Sequence, residues 1–329
     1  MLKKDSSGNI VRYKARLVAQ GFSQVPGVDF FDTYAPVAKM ATIRTVLAFA
    51  ARHDYEIHQV DIKNAFLNGK FEEQEVIYMK LPPGVELTKE KGKVLRLLKP
   101  LYGLRQSARH WYKRLWGVLN KGLGMLKCEV DQAAFYWRKD GDIIIIVVHV
   151  DDLTIAASSV KLIEKVKRVL KGEFKISDMG EIHWILGFEV KRNRERRTIS
   201  LSQATYIRSM LAKYGFENIK PYAAPMDPNL KLSTADAPQT AHDFAYMRDK
   251  PYRETVGSLQ YASVRTRLDI TNVCSMLSRY LENPGPAHWH AVKHVFGYLA
   301  GTADLALGFG KEEKDLEGYT DADGSMNED

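Results

Sequence analysis

The chain has 329 residues, a hydrophobic fraction of 45%, a charged fraction of 27% and a net charge of +8. These values are ordinary for a globular protein of one large or two to three small domains. Two cysteines, Cys128 and Cys274, are too few for a disulfide framework or a cysteine-rich zinc site, which indicates an intracellular, reducing setting. The longest apolar run, 143–148, is strand-sized, and the N-terminus lacks an apolar signal core, so no membrane association is expected.

The positive charge is concentrated in two segments. Residues 89–121 hold ten Lys and Arg against one Glu, and residues 161–197 hold eleven against six acidic groups. Residues 311–329 have the opposite bias, with two basic and eight acidic groups. Concentrated basic surface favours a polyanionic partner whose binding weakens as salt rises. For either basic run alone, the alternative is a solvated helix face.

The first two hundred residues predict a mixture of strands and helices, with a loop of turn residues and aromatics at 21–39. The expected strands are 10–20, 57–62, 76–81, 94–98, 134–138, 143–150, 153–157, 184–190 and 198–201. The expected helices are 43–52 with Thr42 as its N-cap, a short helix at 63–67, then 104–123 and 160–170.

After Ser202 the pattern becomes helical. The expected helices are 203–214, 252–264, 269–282 and 287–300, with a loop at 220–250 that is rich in Pro, Asp and Ala. Residues from 318 onward begin a further element. The order is therefore mixed α/β first and helical second.

Three carboxylates stand in apolar strand contexts where a charge is costly without a cation or several donors. Asp151 and Asp152 lie in IIIIVVHVDDLTIAAS (143–158), and Asp61 lies in IHQVDIKNAF (57–66). Neighbouring strands would bring the three together as oxygen ligands for the divalent metal of a phosphoryl-transfer site. For each segment alone, the alternatives are a helix cap at Asp61 and a tight turn at the pair.

Three motifs resemble, in order, the palm motifs of copia-type LTR retrotransposon reverse transcriptases: VDIKNAFLNG (60–69), PLYGLRQSARHWY (100–112) and HVDDL (149–153). The resemblance covers residues 10–323, because further segments match in order on both sides. Those segments are YKARLVAQGFSQ, FDTYAPVAKMATIRTVLAFAA, DMGEIHWILGFEV, LSQATYIRSML, YRETVGSLQYAS and TRLDITNV.

The resemblance implies roles for individual residues. Asp61, Asp151 and Asp152 would be the catalytic carboxylates and the ligands of two Mg²⁺ ions, with Mn²⁺ as an alternative ion. The implied dNTP-binding residues are Lys14, Arg16, Phe66, Tyr102, Gly103 and Gln106, with Arg105 nearby. The implied primer-terminus residues are His149, Leu201, Ser202 and Gln203.

Some of these implied roles have plain structural alternatives. Phe66 would lie under the incoming sugar and exclude a 2′-hydroxyl, or it is a core aromatic at a helix start. Lys14 and Arg16 would hold the triphosphate, or they are surface charges on a strand. His149 departs from the family, which often has Tyr two residues before the first Asp of the pair.

The implied fold is a right-handed polymerase of the α/β (α+β) class. Residues 1–200 would form fingers and palm, 201–310 a helical thumb and connection, and 311–329 the truncated start of a ribonuclease H domain. In that tail, GYTDADGS resembles the opening strand, with Asp321 as its first metal ligand. Because that chemistry needs carboxylates from later strands, no ribonuclease H activity is expected; the alternative is a merely acidic end.

The implied function is RNA-directed DNA polymerase, which copies RNA into DNA by two-metal-ion nucleotidyl transfer. The implied partners are an RNA template, a DNA or RNA primer, the RNA/DNA hybrid, dNTPs and other segments of a Pol polyprotein, including integrase. The implied location is a cytoplasmic virus-like particle, and the nucleus with the integration complex.

Two other functions stay open on the sequence. One is a catalytically inactive nucleic-acid-binding remnant, which the unusual His149 and the truncated tail keep open. The other is a metal-dependent phosphohydrolase or nuclease that uses the same carboxylates. It would hydrolyse substrate without dNTP and would have little use for Phe66 or the turn at Gly103.

Overall fold

A computed structural model gives the fold of the chain and describes residues 2–4, 10–13, 15–84, 93–227 and 229–310. The chain divides into two units. The first consists of Met1–Ala50 and Asp54–Ile182, and the second of Ala51–His53 and His183–Asp329. No helix in the described ranges is both long and apolar enough to cross a membrane.

The first unit combines strands and helices in alternation. Its strands are β1 (Leu2–Lys4), β2 (Ile10–Tyr13), β3 (Glu56–Ile62), β4 (Tyr78–Met79), β5 (Leu95–Arg96), β6 (Leu126–Lys127), β7 (Ala134–Lys139), β8 (Asp142–His149), β9 (Asp152–Ala157) and β10 (Ile176–Glu181). Its helices are α1 (Met40–His53, whose last three residues fall in the second unit), α2 (Ser107–Leu123) and α3 (Val160–Glu173). Short 3₁₀ turns are Gly21–Ser23 and Ala65–Asn68.

Six strands of this unit form an antiparallel sheet in the order β10-β3-β9-β8-β7-β6. Helices α2 and α3 contact each other, and their apolar residues enter the same buried cluster as the sheet residues. Leu115 of α2 and Val166 of α3 are fully buried there with Ile146 of β8 and Ile155 of β9. Burial of this kind contributes about 1.5–3 kcal/mol per large apolar side chain. The two central strands are thereby held rigidly beside each other.

The second unit is a small sheet followed by helices. Its strands are β11 (Trp184–Ile185), β12 (Phe188–Asn193), β13 (Thr198–Ser202) and β14 (Ala306–Phe309), and its helices are α4 (Ala204–Lys213), α5 (Ala241–Met247), α6 (Tyr252–Arg265), α7 (Thr271–Ser278) and α8 (Pro286–Gly301). The four strands pair in chain order, and apolar residues of α4, α6, α7 and α8 share one buried cluster. Arg267 is buried beneath them, where Asp269 and Thr302 accept its hydrogen bonds.

The structure confirms the mixed α/β order followed by helices and differs in several details. The predicted boundary near residue 200 differs from the division after Ile182, because β13 pairs with β14 and so belongs with the helices. Within the predicted loop 220–250, the segment Ala241–Met247 is helical, with a capping box from Thr240. Thr42 does not cap α1. It lies inside the helix and donates its hydroxyl to Asp131 at 2.6 Å.

A buried lysine ties α3 to the edge of the main sheet. Lys167 is 3% exposed and lies 2.8 Å from Nδ1 of His58, 2.9 Å from Asp178 and 3.2 Å from Glu164. Burial, and then the Lys167 charge, hold the pKa of His58 below its usual 6.5. Burial by itself would raise the pKa of Asp178, but hydrogen bonds from Lys167 and the Gly180 amide, together with the charges of Lys167 and Lys171, lower it overall.

These shifts predict that the protein loses stability in mild acid. Since His58 binds protons more readily in the unfolded chain, the free energy of unfolding should fall as the pH drops through 6.5. Asp178 should add to this loss only below its usual pKa of 3.8. Urea unfolding of His58→Gln should show a smaller decrease between pH 7 and pH 5 than the wild type or His183→Gln, which replaces an exposed histidine. An equal decrease in all three proteins would contradict the assignment.

Candidate active site

Two neighbouring strands bring the predicted carboxylates together. In the register of β3 and β9, Asp61 lies directly opposite Asp152, and on the other side of β9 Asp152 lies opposite His149. The carbonyl of Asp151 accepts a hydrogen bond from the Ile62 amide at 2.8 Å, so the pair and β3 are joined through the backbone. Residues that are 90 positions apart in the chain therefore share one end of the sheet.

The turn before the carboxylate pair is held from the helix beneath it. Val150 has φ of 61°, a conformation that is unusual for a β-branched residue and that persists only when surrounding contacts enforce it. The buried indole of Trp111 donates to the Val150 carbonyl at 2.7 Å, and the Ala38 amide donates to the Val148 carbonyl at 3.1 Å. These contacts fix the position from which Asp151 projects. Helical spacing alone places Trp111 among the buried apolar residues of α2 and does not reveal this hydrogen bond.

Negative charges are crowded together at this end of the sheet. Burial raises the pKa of Asp152, and the nearby carboxylates Asp151 and Asp61 raise it further. His149 and Lys63 act in the opposite direction. The Lys63 ammonium is in direct contact with Oδ2 of Asp61. A cation is therefore favourable at this point, and the chain itself supplies one.

The donor set suits a hard divalent cation, since Mg²⁺ and Mn²⁺ take oxygen ligands. The carboxylate side chains of Asp61, Asp151 and Asp152 do not converge on a common centre in this structure. Across the ranges given above, no group of three or more His, Cys, Asp or Glu side chains is arranged so that it could hold a metal ion. The backbone positions of Asp61, Asp151 and Asp152 fit shared coordination, provided that Asp61 exchanges its Lys63 partner. Their assignment as metal ligands thus stays a prediction that the donor chemistry supports.

Two aromatic rings in contact, with a cation over one of them, adjoin the carboxylates. Phe66 and Tyr102 contact each other with ring centroids 4.8 Å apart, and the Arg16 guanidinium lies 5.0 Å from the centre of the Tyr102 ring. Burial raises the pKa of the Tyr102 hydroxyl, with a further contribution from Asp151 and a smaller one from Asp61. Arg16, Phe66 and Tyr102, which the motifs assign to dNTP binding, are therefore neighbours of the catalytic candidates.

Backbone contacts within the protein require a glycine at position 103. Gly103 has φ of 93°, and a Cβ there would lie 2.0 Å from the Ala19 carbonyl oxygen. The chain passes this closely because the Ala19 amide donates to the Tyr102 carbonyl at 2.7 Å. Nε of Arg105 donates to the Gly21 carbonyl at 3.0 Å and joins the same two segments. Residues 19–21 therefore fill the space beside Gly103, which the motif resemblance assigns to dNTP binding.

Gln106 has a different setting from the one its motif predicts. Its side chain is 1% exposed, and its amide is engaged inside the protein. Nε2 donates to the Asp29 carbonyl at 3.0 Å, and Oε1 accepts from Gln24 at 3.1 Å. Gln106 therefore anchors the loop 21–39 to the start of α2 and does not present its amide to a ligand.

Three of the four residues assigned to the primer terminus, Leu201, Ser202 and Gln203, belong to the second unit. Leu201 is fully buried, and Ser202 and Gln203 are 9% and 1% exposed. The Ser202 hydroxyl accepts from the Ala204 amide at 3.1 Å, and Oε1 of Gln203 accepts from the Thr266 hydroxyl at 2.7 Å. Their side chains serve internal packing, so a role at the primer would come from the backbone and stays a prediction. Lys14 and Asp321 lie outside the described residues.

The basic run 89–121 is partly neutralised within its own unit. Within the described part of the run, paired cations include those of the contacts Arg109–Asp32 at 2.8 Å, Arg114–Glu173 at 2.5 Å and Lys113–Glu72. Half-exposed pairs of this kind contribute little to stability. These ion pairs do lower the positive charge that is available to a polyanion. The count of basic residues in the sequence therefore overstates that charge.

Comparisons with known proteins agree with the motifs. A family model described as reverse transcriptase (RNA-dependent DNA polymerase) matches residues 1–228. The retrovirus-related Pol polyprotein from transposon TNT 1-94 of Nicotiana tabacum is 43% identical over 323 residues, covering 98% of this chain and 24% of that polyprotein. Those from transposons RE2 and RE1 of Arabidopsis thaliana are 36% and 35% identical, covering 98% and 99% of this chain and 21% and 22% of theirs.

A solved structure of the foamy viral protease-reverse transcriptase in complex with double-stranded DNA covers 76% of this chain and 36% of its own. Its TM-score of 0.41 and 15% identity are too low for a structural conclusion. The family match spans more than half of the described chain and includes both carboxylate motifs. The chain belongs to the reverse transcriptase (RNA-dependent DNA polymerase) family, in the copia-type retrotransposon group that its motifs resemble.

Proposed function

We propose that the chain catalyses RNA-directed DNA synthesis as one segment of a copia-type Pol polyprotein. The observation that carries the proposal is the pairing of Asp61 with Asp152 on adjacent strands, next to Asp151 and the contacting rings of Phe66 and Tyr102. A phosphohydrolase or nuclease would need the carboxylates but would have no use for an aromatic pair that discriminates between sugars.

In the proposed reaction, a primer 3′-hydroxyl attacks the α-phosphorus of a dNTP and diphosphate leaves. Two Mg²⁺ ions, or Mn²⁺ in their place, would be held by Asp61, Asp151 and Asp152, and when bound they supply charge neutralisation at the reacting phosphate. The protein contributes position: the strand register fixes the separation of the carboxylates, and Trp111 fixes the turn before Asp151.

The residues around the carboxylates would bind the nucleotide. The Arg16 guanidinium offers a cation for the triphosphate, with Lys14 as a second candidate. The ring of Phe66, backed by Tyr102, would lie under the sugar and exclude a 2′-hydroxyl. Gln106 would act indirectly, since its hydrogen bonds hold the loop 21–39, which follows the Arg16 segment, against the start of α2.

The proposed partners follow from the same reaction. They are an RNA template, a DNA or RNA primer, the hybrid that they form, and integrase and other segments of the polyprotein. The relatives are themselves named as Pol polyproteins, and this chain spans 21–24% of their length. For such an element we propose action in a cytoplasmic virus-like particle and later in the nucleus with the integration complex.

Primer extension tests the proposal. The full chain is incubated with poly(rA)/oligo(dT), dTTP and Mg²⁺, and extended oligo(dT) is resolved on a gel. Extension that depends on both template and metal is the expected result. Folded protein that binds the template but adds no nucleotide would contradict polymerase activity and leave the nucleic-acid-binding remnant. Cleavage of the template without dTTP would instead indicate a nuclease.

Removal of the Trp111 hydrogen bond should slow catalysis without leaving a large cavity in the core. Trp111→Phe keeps an aromatic ring in the cluster but cannot donate to the Val150 carbonyl. We expect the rate of extension to fall about tenfold to a hundredfold, because a misplaced Asp151 loses alignment with Asp61. Trp116→Phe, which replaces another indole of the same helix, is the control. Equal rates in the two variants would show that the hydrogen bond is not needed.

Template binding should depend strongly on salt. Each phosphate contact made by a Lys or Arg contributes roughly 0.7–0.9 to the slope of log affinity against log salt. Fluorescence anisotropy of a labelled hybrid between 50 and 300 mM NaCl gives this slope. We expect Lys121→Gln to reduce it and Lys113→Gln, whose cation is paired with Glu72, to change it less. A flat response to salt in the wild type would assign the basic runs to solvated faces.

A further inference from the structure

One cation lies among the carboxylates of the site. Asp61 lies at the end of β3, and Lys63, two positions later, is the first residue of the turn that follows the strand. The Lys63 ammonium contacts Oδ2 of Asp61, and the two side chains are 41% and 26% exposed. Its positive charge also acts on the neighbouring Asp152.

The backbone holds this lysine in place. The Lys63 amide donates to the Lys175 carbonyl at 2.9 Å, and its carbonyl accepts from Nδ2 of Asn68 at 3.2 Å. Asn64 follows with φ of 52°, which turns the chain into the 3₁₀ turn. With both peptide groups of Lys63 bonded, the ammonium is directed to Asp61 by the local fold, and only its flexible stem is free to move.

We propose that Lys63 is a positioning residue that serves Asp61 as an internal counter-cation, and that a divalent cation must displace it in order to bind. The proposal rests on the proposed function, because it takes Asp61 as a metal ligand. The ammonium contacts an oxygen that coordination requires, and it repels a dication at the same place. Lys63 thus stabilises the metal-free carboxylates and weakens their affinity for metal.

The first test is metal binding without nucleotide or template. Free Mn²⁺ is counted by electron paramagnetic resonance during titration of the full chain. Lys63→Met should bind Mn²⁺ about threefold to tenfold more tightly than the wild type, since it removes both the competition and the repulsion. Lys63→Arg should bind as the wild type does. Unchanged or weaker binding by Lys63→Met would overturn the proposal.

A matched control separates this effect from loss of any ion pair. Lys213 pairs with Glu254 at 2.6 Å in the second unit, with both side chains more than half exposed. Lys213→Met should leave Mn²⁺ binding unchanged. If it tightens binding as much as Lys63→Met does, the effect is general electrostatics and the proposal fails.

The second test uses the protein in excess EDTA and does not depend on any measurement of metal binding. Lys63→Met should lower the melting temperature by about 1–2 °C, because the carboxylates lose their counter-cation. In an Asp61→Asn background the same substitution should have no such effect. An equal decrease in both backgrounds would overturn the proposal. Lys63→Gln, which keeps a polar end on the stem, repeats both tests if the Met variant does not fold.

The two proposals fail separately. Suppose that Lys63→Met binds Mn²⁺ more tightly and melts at a lower temperature in EDTA, but the wild type does not extend a primer. This outcome would support the counter-cation role of Lys63 and refute polymerase activity. Normal extension by the wild type with unchanged Mn²⁺ binding in Lys63→Met, and a higher KM for dTTP, would refute the counter-cation. Lys63 would then act on the triphosphate.

Discussion

Asp151→Asn should reduce primer extension at least about a thousandfold, which corresponds to about 4 kcal/mol in the barrier. The amide is nearly isosteric with the carboxylate, but it has no charge and is a poor ligand for a hard divalent ion. The side chain emerges from a turn whose geometry depends on the backbone of Val150 and on Trp111, so the fold should be retained. Extension rates at saturating dTTP and Mg²⁺ measure the loss.

Asp142→Asn is the matched control for this variant. Asp142 lies at the other end of β8, where its carboxylate accepts a hydrogen bond from Ser158 at 2.8 Å. It should extend the primer at close to the wild-type rate. Both variants should bind the template with the wild-type affinity. Substantial extension by Asp151→Asn would remove this residue from the catalytic site, whatever the control does.

Phe66→Ala should relax the choice of sugar. The ring is partly buried against the core and leans on Tyr102, so it cannot swing away from a 2′-hydroxyl. We expect the ratio of kcat/KM for dTTP to that for UTP to fall on the order of a hundredfold, or nearly 3 kcal/mol of discrimination. Single-nucleotide extension with each substrate gives the ratio.

Phe49→Ala separates this effect from loss of packing. Phe49 is a partly buried phenylalanine of the same unit, and its ring contacts Tyr55. Both variants should lose some stability, but only Phe66→Ala should change the sugar ratio. An unchanged ratio in Phe66→Ala, with a lower melting temperature, would make Phe66 a core aromatic only.

Local sequence patterns predict many of the strands and helices of the fold. The strands β3, β7, β8 and β9 are runs of β-branched and aromatic residues bounded by turns, and α2 and α3 repeat apolar residues at helical spacing. Such elements bury one face, so the sequence encodes them directly. The helix Ala241–Met247 was missed because its signal is a capping box in a segment that is otherwise rich in turn residues.

Contacts between distant segments could not be predicted in the same way. The hydrogen bond from Trp111 to Val150, the burial of Gln106 against Asp29 and the passage of residues 19–21 over Gly103 all join segments far apart in the chain. Each depends on how segments that are distant in the chain pack against one another. A motif can assign a role to Gln106 or Gly103, but it does not show whether the neighbour is a ligand or the protein.

The sequence by itself determined the family, the strand contexts of Asp61, Asp151 and Asp152, and the excess of basic charge. These follow from residue type and spacing, which the chain displays without folding. Only the tertiary structure decided that Asp61 faces Asp152, that Lys63 neutralises Asp61, and that several cations of the run 89–121 are already paired. Strand register and the ion pairs of the run 89–121 are set by packing between elements, and the Asp61–Lys63 pair is set by the turn after β3, because the energy of a charge depends on what lies within a few ångströms of it.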